Sequence, residues 1–456
     1  MKKTILEKFF SAPTEILEKG VELKQEIKQE IENKRPVREV REYWKILGPG
    51  LTTGAADYDP SGIATYSQMG ASRGLGLIWL SLFSFPLMAV IQEMCARIGL
   101  ATGVGLAANI RRHFPKKILY VCVFLLLLAN IFNIGADLGA MAKGAQFIFP
   151  RLNFALLVVA FAFFSLGLQI FIPYKKYSKY LKYLSLVLLA YPLSAFCVQL
   201  DWSEIFQHLF IPTIHFSKCE IILICAALGT TISPYLFFWQ SSQEVEEEIE
   251  KGERTEQKRR LSVSDLSMRK MRVDIWSGMF FSNLVMFFII AICAATLFQN
   301  GITSIGTAAE AALALQPLAG NFAFWLFAFG LIGVGLLAIP VLAGSASYAL
   351  AEALNWKAGL HRKLKQASSF YGVIIVSMLL GIGINFIGLH PIRALIYAAV
   401  LNGLISPIIL FLIVKISSQE EIMGHYKNGN LSKWIGWFSV GLLTVVSFLA
   451  IIFLFV

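Results

Sequence analysis

The chain has 456 residues, 56% of them hydrophobic and 15% charged, with a mean hydropathy of +0.65. That leaves too little polar surface to coat a water-soluble globule and describes a polytopic helical membrane protein. The formal net charge of +11 does not point to nucleic acid, because the Lys and Arg residues sit in short connections between apolar runs and leave no basic face over. The six cysteines (Cys95, Cys122, Cys197, Cys219, Cys225, Cys293) show no CxxC spacing and read as buried thiols, not as a disulfide frame or a zinc site.

In chain order, residues 1–45 form a hydrophilic arm, too charged for a signal peptide. Ile16, Val21, Leu23, Ile27 and Ile31 recur in it at helical spacing, so it reads as an amphipathic helix, either solvated or lying on the lipid surface. Apolar runs of spanning length follow at about 47–70, 73–99, 117–147, 153–173 and 180–200. A second series lies at about 220–242, 274–298, 322–346, 370–389, 391–415 and 433–456, which makes about eleven spans. Alternate connections carry Arg111, Arg112, Lys116 and Lys117, then Lys175, Lys176, Lys179 and Lys182, then Lys258, Arg259 and Arg260, then Arg362, Lys363 and Lys365, then Lys415 and Lys427. Opposite connections such as 299–321 are nearly free of Lys and Arg, so the positive-inside rule places the N-terminus in the cytoplasm and the protein in the plasma (inner) membrane. The longest inner connection, 243–272, mixes Glu244, Glu246, Glu247 and Glu248 with basic residues and reads as a solvated helical hairpin or linker.

Two of these segments are interrupted. Gly54-Ala55-Ala56-Asp57-Tyr58-Asp59-Pro60-Ser61-Gly62 puts two carboxylates and a proline into a membrane-length apolar run. Proline removes a backbone donor and disfavours helix at the residue before it, so the chain unwinds there and frees carbonyls. Such backbone is tolerated at membrane depth only where it is buried in protein or lines a cavity. Leu228-Gly229-Thr230-Thr231-Ile232-Ser233-Pro234-Tyr235 repeats the design in the second series. Two broken segments in corresponding places point to the substrate site of a secondary transporter built from two inverted repeats, here residues 46–200 and 218–415, with a further span at 430–456.

The run Leu47-Gly48-Pro49-Gly50 leading to Asp59-Pro60-Ser61-Gly62 resembles the first helix of the NRAMP divalent-metal transporters, whose signature there is Asp-Pro-Gly-Asn. Gln92 to Gly103 resembles that family's second-helix end, Ala136-Asp137-Leu138 its third-helix element, and Ser233-Pro234-Tyr235 stands where the sixth helix carries Met-Pro-His. The resemblance covers the chain after residue 45 and implies an all-α membrane protein of the LeuT-type inverted-repeat class, five plus five helices and an eleventh, with helices 1 and 6 broken mid-membrane.

Carried over position by position, the resemblance implies an ion held by Asp59, the Thr230 carbonyl and Ser233, with Gly62 in place of the family's Asn and Ser233 in place of its Met. Losing the thioether removes the soft ligand that favours transition metals, and oxygen ligands suit Mg²⁺, Ca²⁺ or Mn²⁺. Gly62 is expected to leave room for water, which suits Mg²⁺, an ion that dehydrates reluctantly. This pattern resembles the NRAMP-related magnesium transporter branch. Asn130 and Ala140 replace acidic positions of the family's third helix, leaving Asp137, and Tyr235 replaces the sixth-helix His. A proton relay of Asp, Glu and His would have lost most of its links. The expectation is uncoupled uptake of hydrated Mg²⁺, with Mn²⁺ also carried, and the alternative is a proton-coupled Mn²⁺/Fe²⁺ importer.

Other readings stay open for single residues. Asp57 either faces an aqueous vestibule or bonds freed amides; Ser233 either meets the ion or bonds back to a carbonyl. Asn402 stands where the family often has a Gln that approaches the ion. Asp137 with Lys143 reads as a buried structural pair, and Glu93 with Arg97 as a tie between helices. A sodium-coupled amino-acid carrier would need half-helix N-termini free for a carboxylate, which an Asp at the break repels. No nucleophile with a base partner, metal-ligand cluster or nucleotide loop marks an enzyme, and no cofactor is expected. The expected partners are a divalent metal ion and the lipid bilayer.

Overall fold

The computed structural model describes residues 43, 47–172, 176, 180, 183, 190–196, 198–306, 310, 311 and 323–455. The amphipathic arm therefore falls almost wholly outside the described residues. Two units divide the chain, Met1–Leu47 and Gly48–Val456, and all that follows concerns the second.

Among the described residues the second unit is helical throughout, without strands. The first expected span is two helices, α1 (Pro49–Ala56) and α2 (Pro60–Arg73). Next come α3 (Trp79–Thr102), α4 (Leu106–His113), α5 (Lys116–Ile148), α6 (Phe154–Phe171), α7 (Ala190–Ala195) and α8 (Trp202–Phe210). The sixth span is also two helices, α9 (Lys218–Thr231) and α10 (Pro234–Glu250). After them come α11 (Glu256–Ser262), α12 (Asp265–Cys293, running on into a π turn at Ala294–Phe298), α13 (Ala323–Ala353), α14 (Ser368–Ile384), α15 (Pro391–Ser418), α16 (Glu420–Met423) and α17 (Asn430–Phe455). Eight stretches, with α9 and α10 taken together, are long and apolar enough to cross a membrane, and α14 is a shorter apolar helix. Of the expected fifth span at 180–200, residues 181, 182, 184–189 and 197 lie outside the described residues.

Both breaks fall where the sequence places proline. Pro60 and Pro234 each open a helix, where a missing N–H costs nothing because first-turn donors have no helical partner. Asp59 caps α2 by accepting from Gly62 N. Elsewhere Asn153 caps α6, and Ser264 with Ser267 makes a capping box at the start of α12.

The short helices α4 and α8 were not expected; α11 falls in the connection at 243–272, which was read as a helical hairpin or linker and which differs from the reading of its charges. Helix α10 continues to Glu250, and Glu244, Glu246 and Glu248 are buried, not solvated. Each has found a partner: Gln240 donates to Glu244, Lys251 and Ser262 to Glu248, and Glu246 accepts from the Tyr348 hydroxyl and the Leu360 and His361 amides. A charge run is solvated only if no fold brings donors to it. Glu93 does tie helices, accepting from Arg272 and Trp276 on α12, while Arg97 donates to Asn428 in the connection before α17. In the same region Arg112 grips Glu256 with two guanidinium nitrogens at 2.7 and 2.8 Å, holding that carboxyl below its usual range. The pair is complete at neutral pH and lost as pH falls through that lowered value. Both side chains are about one-third exposed, so it contributes under about 1 kcal/mol.

Helix α1 lies against α12 at backbone contact. Asp274 of α12 accepts from the amides of Gly48, Gly50 and Leu51, neutralising the first-turn donors of α1 and the positive end of its dipole. A Cβ on Gly54 would lie 2.4 Å from the Gly278 carbonyl oxygen, and one on Gly278 2.2 Å from that of Gly50. Gly278→Val is expected to lower stability by about 1–3 kcal/mol through overpacking, read as a fall in the thermal unfolding midpoint in detergent. Gly167→Ala, in helix α6 with nothing within 4 Å of the added carbon, is the control, expected to stabilise by roughly 0.5–1 kcal/mol.

Candidate functional site

The two breaks meet at the centre of the helical bundle. The Tyr235 hydroxyl, just past the second break, donates to the Ala56 carbonyl at 2.9 Å, just before the first. Ile232, at the second break, has its carbonyl taken by Ser406 of α15 at 2.7 Å. Carbonyls that lose their helical partners at a break are thus met by hydroxyls from neighbouring elements. The Tyr66 hydroxyl and Thr230 Oγ1, 2.7 Å apart, join α2 to α9.

Three carboxylates are buried here. Asp59, 1% exposed, accepts from Ser61 Oγ at 2.5 Å and Gly62 N at 2.8 Å through one oxygen, and from Asn133 Nδ2 at 2.6 Å through the other. The same Asn133 nitrogen reaches Asp137 Oδ2 at 3.1 Å, so one amide bridges both acids. Asp57 accepts from Ser282 Oγ of α12 at 2.7 Å. Asp57 Oδ1 and Asp137 Oδ1 are buried with no hydrogen-bond partner. Among the described residues none of the three makes a salt bridge. Buried charges are normally paired or bound to a metal, so this cluster has the electrostatics of a cation site.

The other expected residues surround it. Asn402 Nδ2 approaches Asn133 Oδ1 at 3.4 Å, and Asn402 Oδ1 has no partner. Ser233 bonds back, its hydroxyl lying 2.6 Å from both the Gly229 and Thr230 carbonyls, so the Thr230 carbonyl already holds one donor. The room expected at Gly62 is filled, since a Cβ there would lie 3.1 Å from the Asp57 carbonyl and 3.4 Å from the Tyr66 ring. Asn130 is spent on α13, donating to the Leu342 carbonyl and Ser345 Oγ, and Ala140 is buried. Asp137 and Lys143 do not pair. Six residues apart, they point to different sides of α5, and Lys143 bonds Gln146 and lies over the Phe154 ring.

Asn133 and Ser282 escaped the sequence reading. For Asn133 the available signal was an amide four residues before Asp137 in an apolar run; Ser282 had none. Asn133→Leu leaves Asp59 and Asp137 without their shared donor and is expected to cost about 1.5–3 kcal/mol in thermal or chemical unfolding. Asn133→Asp, which adds a charge beside two others, is expected to cost more.

Residues 50–455 match the family model described as natural resistance-associated macrophage protein-like, Nramp. The chain is 25% identical over 408 residues to a divalent metal cation transporter MntH of Caldanaerobacter subterraneus subsp. tengcongensis, covering 87% of this chain and 90% of that protein. A protein of the same name from Clostridium acetobutylicum is 27% identical over 433 residues, 92% of each chain. Among solved structures, the Eremococcus coleocola manganese transporter aligns with a TM-score of 0.70 at 18% identity, over 89% of this chain and 86% of that one. Mhp1, a nucleobase-cation-symport-1 family transporter, aligns at 0.55 and 15% identity over 90% of each. The fold is thus the LeuT-type inverted repeat, and the chain belongs to the Nramp family of multi-pass membrane proteins.

Proposed function

We propose that this protein carries divalent cations across the membrane by alternating access around Asp59, Thr230 and Ser233, with Asp57, Asp137 and Asn402 completing the surroundings of the ion. The observation that carries this reading is the cluster of three buried carboxylates, two of them with a partnerless oxygen, to which no cationic side chain among the described residues is paired. The relatives named as divalent metal cation transporters support the same cargo class. The basic connections orient the protein with the N-terminus and the start of α1 in the cytoplasm of the plasma (inner) membrane.

The preferred ion is Mg²⁺, with Mn²⁺ also carried, and it moves without a proton. Every group gathered at the breaks offers oxygen, and Ser233 stands where the family's thioether would be, so the donors are hard. Mg²⁺ keeps several waters and needs one or two carboxylates. The side chains of Tyr58, Tyr66 and Tyr235 at the breaks are buried, so room for those waters comes with rearrangement of the site. Tyr235 and Asn130 hold structural hydrogen bonds where a relay would need titrating groups, and Ala140 offers none. Coupling is not needed for accumulation, because 100 mV supplies about 4.6 kcal/mol to a divalent ion.

The test is ion flux into proteoliposomes with Mg²⁺ and Mn²⁺ sensed separately and internal pH followed, wild type against Asp59→Ala. Mg²⁺ uptake without acidification, abolished by the substitution, is expected. Mn²⁺ uptake with acidification and no Mg²⁺ flux would instead make this a proton-coupled importer with relocated ligands.

A further inference from the structure

Helix α8 carries more apolar surface than the protein covers. At about 100° per residue, Trp202, Phe206 and Phe210 form one stripe, Ile205 and Leu209 a second beside it, and Ser203, Glu204, Gln207 and His208 the opposite side. Ile205 and Leu209 are 1% and 8% exposed and join the core, whereas Trp202, Phe206 and Phe210 are 47%, 52% and 63% exposed. The rings of Trp202 and Phe206 have centroids 6.2 Å apart, so the outer stripe is continuous. It runs on past the helix, where Ile211, Ile214 and Phe216 are exposed as well, up to Ser217, which caps α9.

The polar side has neighbours of its own. Glu204 and His208 line a cavity of about 510 Å³ together with Arg73 at the end of α2, Glu220 in the first turn of α9, and Phe298 and Gln299 at the end of α12. Helix α12 starts in the connection 243–272, so Phe298 marks its far end. That puts α8 level with the ends of spanning helices, on the face away from the basic connections. A helix at that level with one apolar and one polar half has the pattern of a segment lying in the membrane interface, and Trp with Phe is a composition such segments favour.

We propose that α8 and residues 211–216 are an interfacial anchor, with Trp202, Phe206 and Phe210 set into the lipid while Glu204 and His208 form a wall of the cavity at the far ends of α2 and α9. The occupant of the stripe is the bilayer, not a second copy of the chain. The exposed halves of the three rings offer roughly 300 Å², and the whole patch stays below the roughly 800 Å² per partner of a stable protein interface. Lipid, by contrast, already surrounds the spans that end at this level. The anchor holds whatever ion the protein carries.

The experiment attaches a nitroxide to Phe206→Cys and, for comparison, to Gln207→Cys on the polar side, in the full chain in nanodiscs of phosphatidylcholine and phosphatidylglycerol. Cys197 and the exposed Cys219 are first replaced by serine. Collisions with oxygen, which concentrates in lipid, are compared with collisions with a nickel chelate, which stays in water. The ratio of the two is expected to be at least about fivefold higher at Phe206→Cys than at Gln207→Cys. Equal ratios would overturn the anchor, and so would protection of the Phe206→Cys label from both reagents, which a second copy seated on the stripe would give. Trp202→Phe checks the same point without a label: brominated lipid is expected to quench a smaller fraction of its tryptophan emission than of the wild type's, and an unchanged or larger fraction speaks against the anchor.

Discussion

Everything at the centre of this fold answers to one cost, that of holding Asp57, Asp59 and Asp137 in a membrane interior with no lysine, arginine or histidine among the described residues paired to them. Several buried acids elsewhere are matched by cations or by several donors: Glu93 by Arg272, Glu220 by Arg73, Asp274 by three amides. At the breaks the donors are only neutral ones, from Ser61, Gly62, Asn133 and Ser282, and two carboxylate oxygens go without. Neutral donors lower the cost of a buried charge without cancelling it. The remaining negative potential is what a carried cation would neutralise, which is why the protein's proposed work and its electrostatic strain share one place.

The breaks themselves are made inexpensive by hydroxyls from outside each broken segment. A carbonyl from the first broken segment is satisfied by a tyrosine following the second, and one from the second by a serine of α15. Parting the two broken segments therefore releases the Ala56 carbonyl, and parting the second from α15 releases that of Ile232. The same holds at the basic end, where α1 is held by the carboxylate of Asp274 and by glycine contacts tight enough to exclude a methyl group. Discrete contacts of this kind favour two packed arrangements over a continuum, as the proposed alternating access requires.

Much of the fold was legible in the chain because its signals are local. Spans follow from runs of apolar residues, breaks from Pro60 and Pro234, and the repeat from the parity of the basic connections. The acids of the candidate site were legible too, since a carboxylate inside an apolar run stands out by cost alone. Less was legible at the charged connection 243–272, where composition suggested solvation and the fold buries Glu244, Glu246 and Glu248 among donors from α10, α11, α13 and the segment after α13.

What the sequence by itself determined, then, is which segments are apolar enough to cross a bilayer, where two of them unwind and which oxygens lie at those points; each follows from the free energy of placing a given residue in hydrocarbon. Tertiary structure alone decided who meets whom. Asn133 bridges Asp59 from 74 positions away, Ser282 reaches Asp57 across 225, and Asp274 caps α1 across 224. It also decided that Lys143 turns from Asp137, that Ser233 bonds back onto its own helix and that the Tyr66 ring takes the space beside Gly62. Such pairings depend on how helix faces are rotated against one another, and that rotation is set by the sum of many weak packing contacts, no single one of which is written in a local run of residues.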